Sequence, residues 1–216
     1  DPGTHWAYNS GASHLLSAII ERTTQHTTLD FASEFLFKPL GISEVTWTQH
    51  PQGPYYGGHG LYLKPRDMAK LGYLYLKKGT WDGKQIVSPE WVAKSTETHS
   101  RPWKDTGYGY QWWTSPTIGV YEASGLYGQQ ILVAPDYDMV VVFTATIRTG
   151  SNPELEILQR FILSAAIDES APKPGVDTLA ASMLIALLAL LVLAGAYWLV
   201  RTRRAGLKMT EKPHQA

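Results

Sequence analysis

Apolar positions recur at helical spacing in the first part of the chain and at strand spacing further on. Over residues 10–24, Leu15, Leu16, Ile19 and Ile20 stand at i, i+1, i+4 and i+5, a helical stripe. Residues 28–37 repeat the pattern with Phe31, Phe35 and Leu36, and Lys38-Pro39-Leu40-Gly41 ends it as a Pro/Gly terminator. Residues 49–60 are rich in Gly, Pro and His and predict a loop. A third helix is predicted over 65–78, with Pro65 in its first turn, Met68, Leu71, Leu74 and Tyr75 on one face, and Gly79 at its end. Trp81-Asp82-Gly83-Lys84 is an Asp-Gly turn. Ser88 as N-cap and Pro89 after it open a helix over 88–94.

Strand signals then take over. Residues 108–113, 119–123, 129–134 and 139–145 are short, β-branched or aromatic, and separated by turn residues. Pro135-Asp136-Tyr137-Asp138 predicts a hairpin-like turn between the last two. Residues 152–167 close as an amphipathic helix with Leu155, Leu158, Phe161, Ile162 and Ala165 inward. Helices first, then an antiparallel meander, then a covering helix make an α+β layout.

Residues 179–200, LAASMLIALLALLVLAGAYWLV, carry no charge. At about 1.5 Å per residue they reach roughly 33 Å, enough for a hydrocarbon core of about 30 Å. Core helices of that length carry a polar face, so a transmembrane helix from Leu179 to Val200 is the expectation. Arg201, Arg203, Arg204, Lys208 and Lys212 follow it, and the positive-inside rule places the tail 201–216 in the cytoplasm. Tyr197 and Trp198 become anchors at the inner interface. The expected organisation is a globular part over 1–170 outside the cytoplasm, a spacer over 171–178, one span through the inner (cell) membrane, and a basic tail. The opening Asp1-Pro2-Gly3-Thr4 is turn-like, with neither a leader nor an initiator methionine, so residue 1 is expected not to be the natural start.

Charge is balanced, with 19 basic and 19 acidic residues among 216, and predicts no nucleic-acid partner. Without cysteine there is no disulfide framework, thiolate nucleophile or Cys-based zinc site. The seven histidines show no His-x-x-x-His spacing; His5, His14 and His26 are read as surface or loop residues rather than metal ligands. No metal or other cofactor is expected. The 8 Trp and 12 Tyr suit either core packing or a cleft lined by rings.

Chemistry concentrates in a few motifs. Pro2-Gly3-Thr4-His5-Trp6-Ala7-Tyr8-Asn9-Ser10-Gly11 is followed by Leu15-Leu16 and Pro39-Leu40-Gly41. Gly57-Gly58-His59-Gly60-Leu61 leads to Arg66-Asp67-Met68-Ala69-Lys70-Leu71-Gly72. Tyr108-Gly109-Tyr110-Gln111-Trp112-Trp113 comes next, then Gly125-Leu126-Tyr127-Gly128-Gln129 and Pro135. Taken in this order, they resemble the serine β-lactamases, penicillin-binding proteins and their esterase and amidase relatives. The likeness covers nearly all of the globular part. The Tyr-Gly-Tyr-Gln-Trp-Trp and Gly-x-x-Gly-Gln variants are most similar to the 6-aminohexanoate-dimer hydrolase branch.

That resemblance implies a β-lactamase/transpeptidase-like fold, an antiparallel sheet flanked by helices, incomplete at its N-terminus. It implies acyl-enzyme chemistry with nucleophile, base and oxyanion pocket. Tyr8 takes the place of the proton-relay tyrosine. A free phenol titrates near 10, so it serves as base only where a cation favours the phenolate; in the family that cation is the lysine of Ser-x-x-Lys. Ser10 stands where the family has Asn or Ser and hydrogen-bonds the lysine or substrate. Ser124 and Gly125 form the pocket edge, Gly125 admitting close approach of substrate to the backbone. The N–H of Leu126 is the implied oxyanion donor, and Tyr127 and Trp112 line the substrate site. Trp112 and Trp113 alternate across a strand, so at most one of them lines the cleft.

Two departures matter. Ala123 stands where many members carry the lysine of Lys-Thr-Gly, which argues against recognition of a β-lactam or peptide carboxylate there. Ser13, Ser17, Ser43 and Ser95 all lack a lysine three positions on, so the nucleophile is expected upstream of this chain, which by itself should not be competent. The expected activity is hydrolysis of a small ester or amide outside the cytoplasm. A D,D-peptidase or β-lactamase acting on cell-wall peptides is the alternative, and a membrane-anchored binding or sensor domain without activity is a third. As structural elements, Tyr8 would be a packed aromatic, and Gly125 and Gly128 turn or bulge glycines.

Overall fold

The computed structural model describes residues 4–51, 53–147 and 153–167. The chain divides into two units, Asp1–Ala166 and Ile167–Ala216, and the described structure belongs almost wholly to the first. The predicted span lies outside the described residues; among those, no helix is long and apolar enough to cross a membrane.

Helix α1, Ser10–Thr24, starts where the Asn9 side chain accepts the Ala12 N–H at 3.0 Å. It ends at Gln25 in the left-handed region, φ 60°. Helix α2, Thr28–Ala32, is capped by Thr27 and continues as a π-turn over Ser33–Phe37. Helix α3, Pro65–Leu76, has proline in its first turn, and α4, Pro89–Thr96, is capped by the Ser88 side chain on the Trp91 N–H. Two-stranded pairs flank α3: β1 (Thr46–Trp47) with β2 (Leu61–Tyr62), and β3 (Thr80–Trp81) with β4 (Lys84–Gln85). The second pair turns through Asp82 and Gly83, both at positive φ, as an Asp-Gly hairpin requires.

The main sheet is antiparallel with order β10-β9-β8-β7-β6-β5. Its strands are β5 Ser100–Trp103, β6 Thr106–Tyr108, β7 Trp113–Ser115, β8 Val120–Gly125, β9 Gln129–Ala134 and β10 Met139–Phe143. The strand expected over 108–113 is a bend: β6 stops at Tyr108 and β7 begins at Trp113. Gln111 is left-handed there, and a Cβ on Gly109 would lie 2.2 Å from the Ser95 carbonyl oxygen. The close approach to α4 therefore breaks the strand.

Alternation gives the sheet two cores. Ile131, Val133, Val140, Tyr121 and Ala123 face α3, packing with Met68, Leu71 and Tyr75. Val120, Leu132 and Ala134 face the C-terminal helix, α5 (Pro153–Ile157), a π-turn (Leu158–Leu163) and α6 (Ser164–Ile167), meeting Leu158 and Leu163. A third cluster around Phe37, Leu40, Ile42 and Leu74 joins α2 to α3.

Helix α1 departs from the usual sense of its stripe. Leu15, Leu16 and Ile19 are exposed, and its one buried residue is Ser17. That hydroxyl bonds to Thr28 Oγ1 at 2.5 Å and donates to the Tyr55 carbonyl at 2.6 Å. Polar contacts seat this helix, and its apolar face stays uncovered in the unit. In the closing helix, likewise, Leu158 and Leu163 are buried, while Phe161, expected inward, is 63% exposed. The π-turn over Leu158–Leu163 shifts the helical phase by which Phe161 would have faced the sheet.

Helix α3 lies so close to the sheet that a Cβ at Gly72 would come within 2.5 Å of Val140 Cγ1 and 2.8 Å of Ile131 Cγ2. Gly72→Val should therefore destabilise the protein by about 1–3 kcal/mol through overpacking. The gain in helix propensity is at most about 1 kcal/mol and does not offset it. A lowered denaturant midpoint with unchanged slope is the expected result.

Candidate active site

Tyr8 immediately precedes the Asn9 cap, so the start of α1 sets where its ring projects. Two glycines hold this segment. A Cβ on Gly57 would lie 2.3 Å from the Ser13 carbonyl oxygen, and one on Gly58 would lie 2.8 Å from that of Ser10. The Gly-Gly pair lets its loop lie flat on the first turns of α1, and the Gly57 N–H donates to His14 Nδ1 at 3.3 Å. Across the cleft side, the Ser13 hydroxyl donates to Gln111 Oε1 at 3.0 Å, tying α1 to the bend between β6 and β7.

The Tyr8 ring lands among aromatics. It stacks on Trp113, centroids 5.9 Å apart and planes within 12°, and meets Tyr108 edge-on at 6.5 Å. Trp113 stacks in turn on Trp103 at 5.8 Å, and Trp6 packs against Tyr8, Trp103, Tyr108 and Trp113. Tyr8 is 59% exposed at the edge of this cluster. Its partners among the described residues are these rings. Burial, and then Tyr8, push the Tyr108 phenol above its ordinary range, so Tyr108 stays protonated.

The ring beside Tyr8 is Trp113, not Trp112. Trp112 is buried in the core against Tyr75, Tyr121 and Val133 on the α3 side. Neighbouring residues face opposite ways where the strand begins, so Trp113 rather than Trp112, expected at the substrate site, lies on the Tyr8 side.

Register links Tyr8 to the Gly125-Leu126-Tyr127-Gly128-Gln129 motif. Tyr108, Trp113, Glu122, Leu132 and Val141 stand opposite one another across β6 to β10 and share one face. Ser124 is on that face too, two residues beyond Glu122, which is roughly 7 Å along the strand. Gly125 ends β8 opposite Gln129, and Leu126-Tyr127-Gly128 make the turn, with Tyr127 and Gly128 left-handed. Leu126 is 75% exposed at the tip. The Ile147 N–H donates to the Tyr127 carbonyl at 3.0 Å, and the Gln129 amide donates to the Ala145 carbonyl, pinning the turn. An open hollow of about 530 Å³ lined by Gln129, Thr144, Ala145 and Thr146 borders it. A similar hollow near Tyr73, Lys77 and Gly83 lies at the far end of α3, away from these residues. Ser10 is exposed at the first position of α1, directly after Tyr8 and Asn9. Ala123 packs into the α3 core instead of facing this side.

Among the described residues no group of three or more His, Asp or Glu side chains is placed to hold a metal ion. The chain has one Ser-x-x-Lys spacing, Ser170-Ala171-Pro172-Lys173. It lies outside the described residues and after the tyrosine motif, the reverse of the family's chain order, with a proline between serine and lysine. No serine from Ser10 to Ser164 has such a partner.

Sequence patterns did not single out Glu122 or Glu154. Both are buried, at 8% and 3% exposure, Glu122 on β8 and Glu154 in the first turn of α5. Burial, and then the Glu154 charge, push the Glu122 carboxyl up to about 7. The available signal was parity: Glu122 shares the inward face of β8 with Val120.

The family model "Beta-lactamase" matches residues 1–167. Over 155 residues the chain is 28% identical to the 6-aminohexanoate-dimer hydrolase of Paenarthrobacter ureafaciens, covering 66% of this chain and 40% of that protein. A Bacillus anthracis protein provisionally named a 6-aminohexanoate-dimer hydrolase has a similar structure, with TM-score 0.68 and 25% identity over 80% of this chain and 46% of that one. The octameric penicillin-binding protein homologue of Pyrococcus abyssi shares the fold, with TM-score 0.61 and 21% identity over 81% and 46%. The chain thus spans less than half the length of these relatives.

Because its folded pKa is raised, Glu122 binds its proton more tightly in the folded than in the unfolded state. Its contribution to stability is fullest below the ordinary carboxylate range and is lost as pH rises through about 7. At ~1.4 kcal/mol per unit, the loss between about pH 5 and pH 8 is on the order of 3 kcal/mol at most. Glu122→Gln should flatten this part of the stability-versus-pH curve, measured by denaturant titration at several pH values.

Proposed function

The chain belongs to the beta-lactamase family, and from that premise we propose that it supplies the tyrosine side of a serine hydrolase active site. The substrate is a small ester or amide, and the reaction passes through an acyl-enzyme. The observation that carries this reading is the placement of Tyr8 on Trp113, on the sheet face that runs along β8 to Ser124.

In this reading the nucleophile is the serine of a Ser-x-x-Lys outside residues 4–167. The lysine ammonium favours the Tyr8 phenolate, which removes the serine proton as the serine oxygen attacks the carbonyl. The Leu126 N–H takes the oxyanion at the turn tip, where the residue is exposed. Collapse of the tetrahedral adduct breaks the bond to the leaving group, which receives the proton from Tyr8. Water then repeats the sequence on the acyl-enzyme and releases the acid. Ser10 hydrogen-bonds the lysine or substrate, and Ser124, Gly125, Tyr127 and Trp113 border the bound acyl group.

Ala123 supports ester or amide specificity, because it is uncharged and turned into the core, leaving no cation there for a carboxylate. The likeness to a 6-aminohexanoate-dimer hydrolase supports a linear amide as substrate. The uncovered Leu15, Leu16 and Ile19 face of α1 supports packing against further protein that carries the nucleophile. The uncharged residues 179–200, followed by Arg201, Arg203 and Arg204, support anchoring of this hydrolase to the outer face of the inner membrane, with the tail in the cytoplasm.

A fluorophosphonate probe should label the full-length protein at the serine of a Ser-x-x-Lys, and Tyr8→Phe should slow labelling by roughly 10²–10⁴-fold. Absence of labelling, or labelling indifferent to Tyr8→Phe, would overturn the reading and leave a binding domain on a hydrolase fold. Among substrates, p-nitrophenyl esters and amino-acid dimers should be turned over and a chromogenic cephalosporin should not. Cephalosporin turnover would move the assignment to cell-wall chemistry.

A further inference from the structure

Ser13 and Gln111 join the two segments that hold the Tyr8 ring. The Ser13 hydroxyl donates to Gln111 Oε1 at 3.0 Å. Within α1, the Ser13 N–H donates to the Asn9 carbonyl at 3.3 Å, and Asn9 directly follows Tyr8. On the sheet side, Gln111 stands two residues before Trp113, the ring on which Tyr8 stacks. Tyr8, Asn9, Ser13, Gln111 and Trp113 thus form a closed circuit of one ring stack, two hydrogen bonds and short stretches of chain.

Gln111 holds this place in a conformation that glutamine seldom takes. Its φ is 67°, in the left-handed region that favours glycine or asparagine. The bend around it is fixed by the main chain: the Gly109 N–H donates to the Trp112 carbonyl, and the Tyr110 N–H to the Ser95 carbonyl, both at 2.8 Å. Those bonds tie the bend to itself and to α4, whereas the Gln111 side chain reaches across to α1. Glycine at 111 would relieve the backbone cost and would lose the bond to Ser13. Strain kept next to a candidate active site points to a use for the side chain that carries it.

The Tyr8–Trp113 stack leaves a need that this bond meets. Aromatic pairs are favourable over a range of centroid separations and offsets, so a stack fixes the plane of a ring better than its position within that plane. A hydrogen bond is favourable only over a few tenths of an ångström. We propose that Ser13 and Gln111 are positioning residues for Tyr8: their hydrogen bond fixes the start of α1 against the β6–β7 bend and so sets where the phenol oxygen lies along Trp113. A misplacement near 1 Å costs about 10²-fold in rate, and with the stack retained the loss here is smaller, roughly tenfold. This role rests on the hydrolase reading above, because it acts through the proton relay assigned to Tyr8.

The test is the rate of fluorophosphonate labelling of the full-length protein, with the denaturant midpoint measured alongside. Ser13→Ala and Gln111→Gly should each slow labelling by roughly tenfold, and the double variant should be no slower than either. Gln111→Asn tolerates the left-handed backbone but is too short to reach Ser13, and it should be slowed as Gln111→Gly is. Ser13→Thr keeps the hydroxyl and should keep most of the rate. Gln111→Gly should leave the midpoint unchanged or raise it, since glycine adopts that φ freely. In a Tyr8→Phe background, Ser13→Ala and Gln111→Gly should slow labelling no further, an outcome that a merely structural role would not give. Should Ser13→Ala fail to fold, Gln111→Gly carries the same comparison. Wild-type rates in Ser13→Ala and Gln111→Gly, or a full further slowing in the Tyr8→Phe background, overturn the positioning role alone. If the wild type is not labelled, or its labelling is indifferent to Tyr8→Phe, the hydrolase reading fails and the positioning role with it.

Discussion

The alternation of side chains along β8 and β9 is the constraint on which the other parts of this unit depend. Because successive residues face opposite ways, Tyr121 and Ala123 are committed to the α3 core, and Val120 and Glu122 to the core under α5. A slip of one residue would exchange the two faces, placing the Glu122 carboxyl under α3 and Ala123 beside the helix. Register is thus held by the cost of burying the wrong groups. It also places Ser124 on the Tyr8 side and turns Ala123 away from it.

Along the shared row, chemical character changes step by step. Tyr108 and Trp113 carry the ring cluster that receives Tyr8; Glu122 is buried next in the row; Leu132 and Val141 pack beneath the closing helix. The acid sits where the aromatic site gives way to aliphatic core. An unionised carboxyl suits that boundary, since the desolvation that raises its pKa comes from the same packing that stabilises the sheet.

Glycine supplies the remaining precision. Gly72 lets α3 approach β9 and β10, Gly57 and Gly58 let their loop lie on α1, and Gly128 makes room for Glu154. In each case backbone or another side chain occupies the place of a Cβ. The motif glycines of the sequence are therefore mostly contacts between elements. Of those named here, only Gly128 also requires positive φ.

Much of this was legible in the amino-acid sequence. Periodicity located α1, and capping residues with periodicity located α3 and α4, since Ser88 and the prolines act on their own neighbours. The Asp-Gly turn and the limits of β9 followed from local chemistry in the same way. Motif order pointed to the family because it requires only the residues and their sequence. Tertiary structure alone decided that the strand expected over 108–113 bends, since Gly109 is pressed against the Ser95 carbonyl oxygen of α4. It also decided that Trp113 rather than Trp112 meets Tyr8, and that Leu15, Leu16 and Ile19 face outward while Ser17 seats α1. Periodicity shows which residues share a face; which face meets a partner depends on elements far away in the chain. Glu122 and Glu154 were hidden for that reason: far apart in sequence, both become buried only when the elements around them pack together.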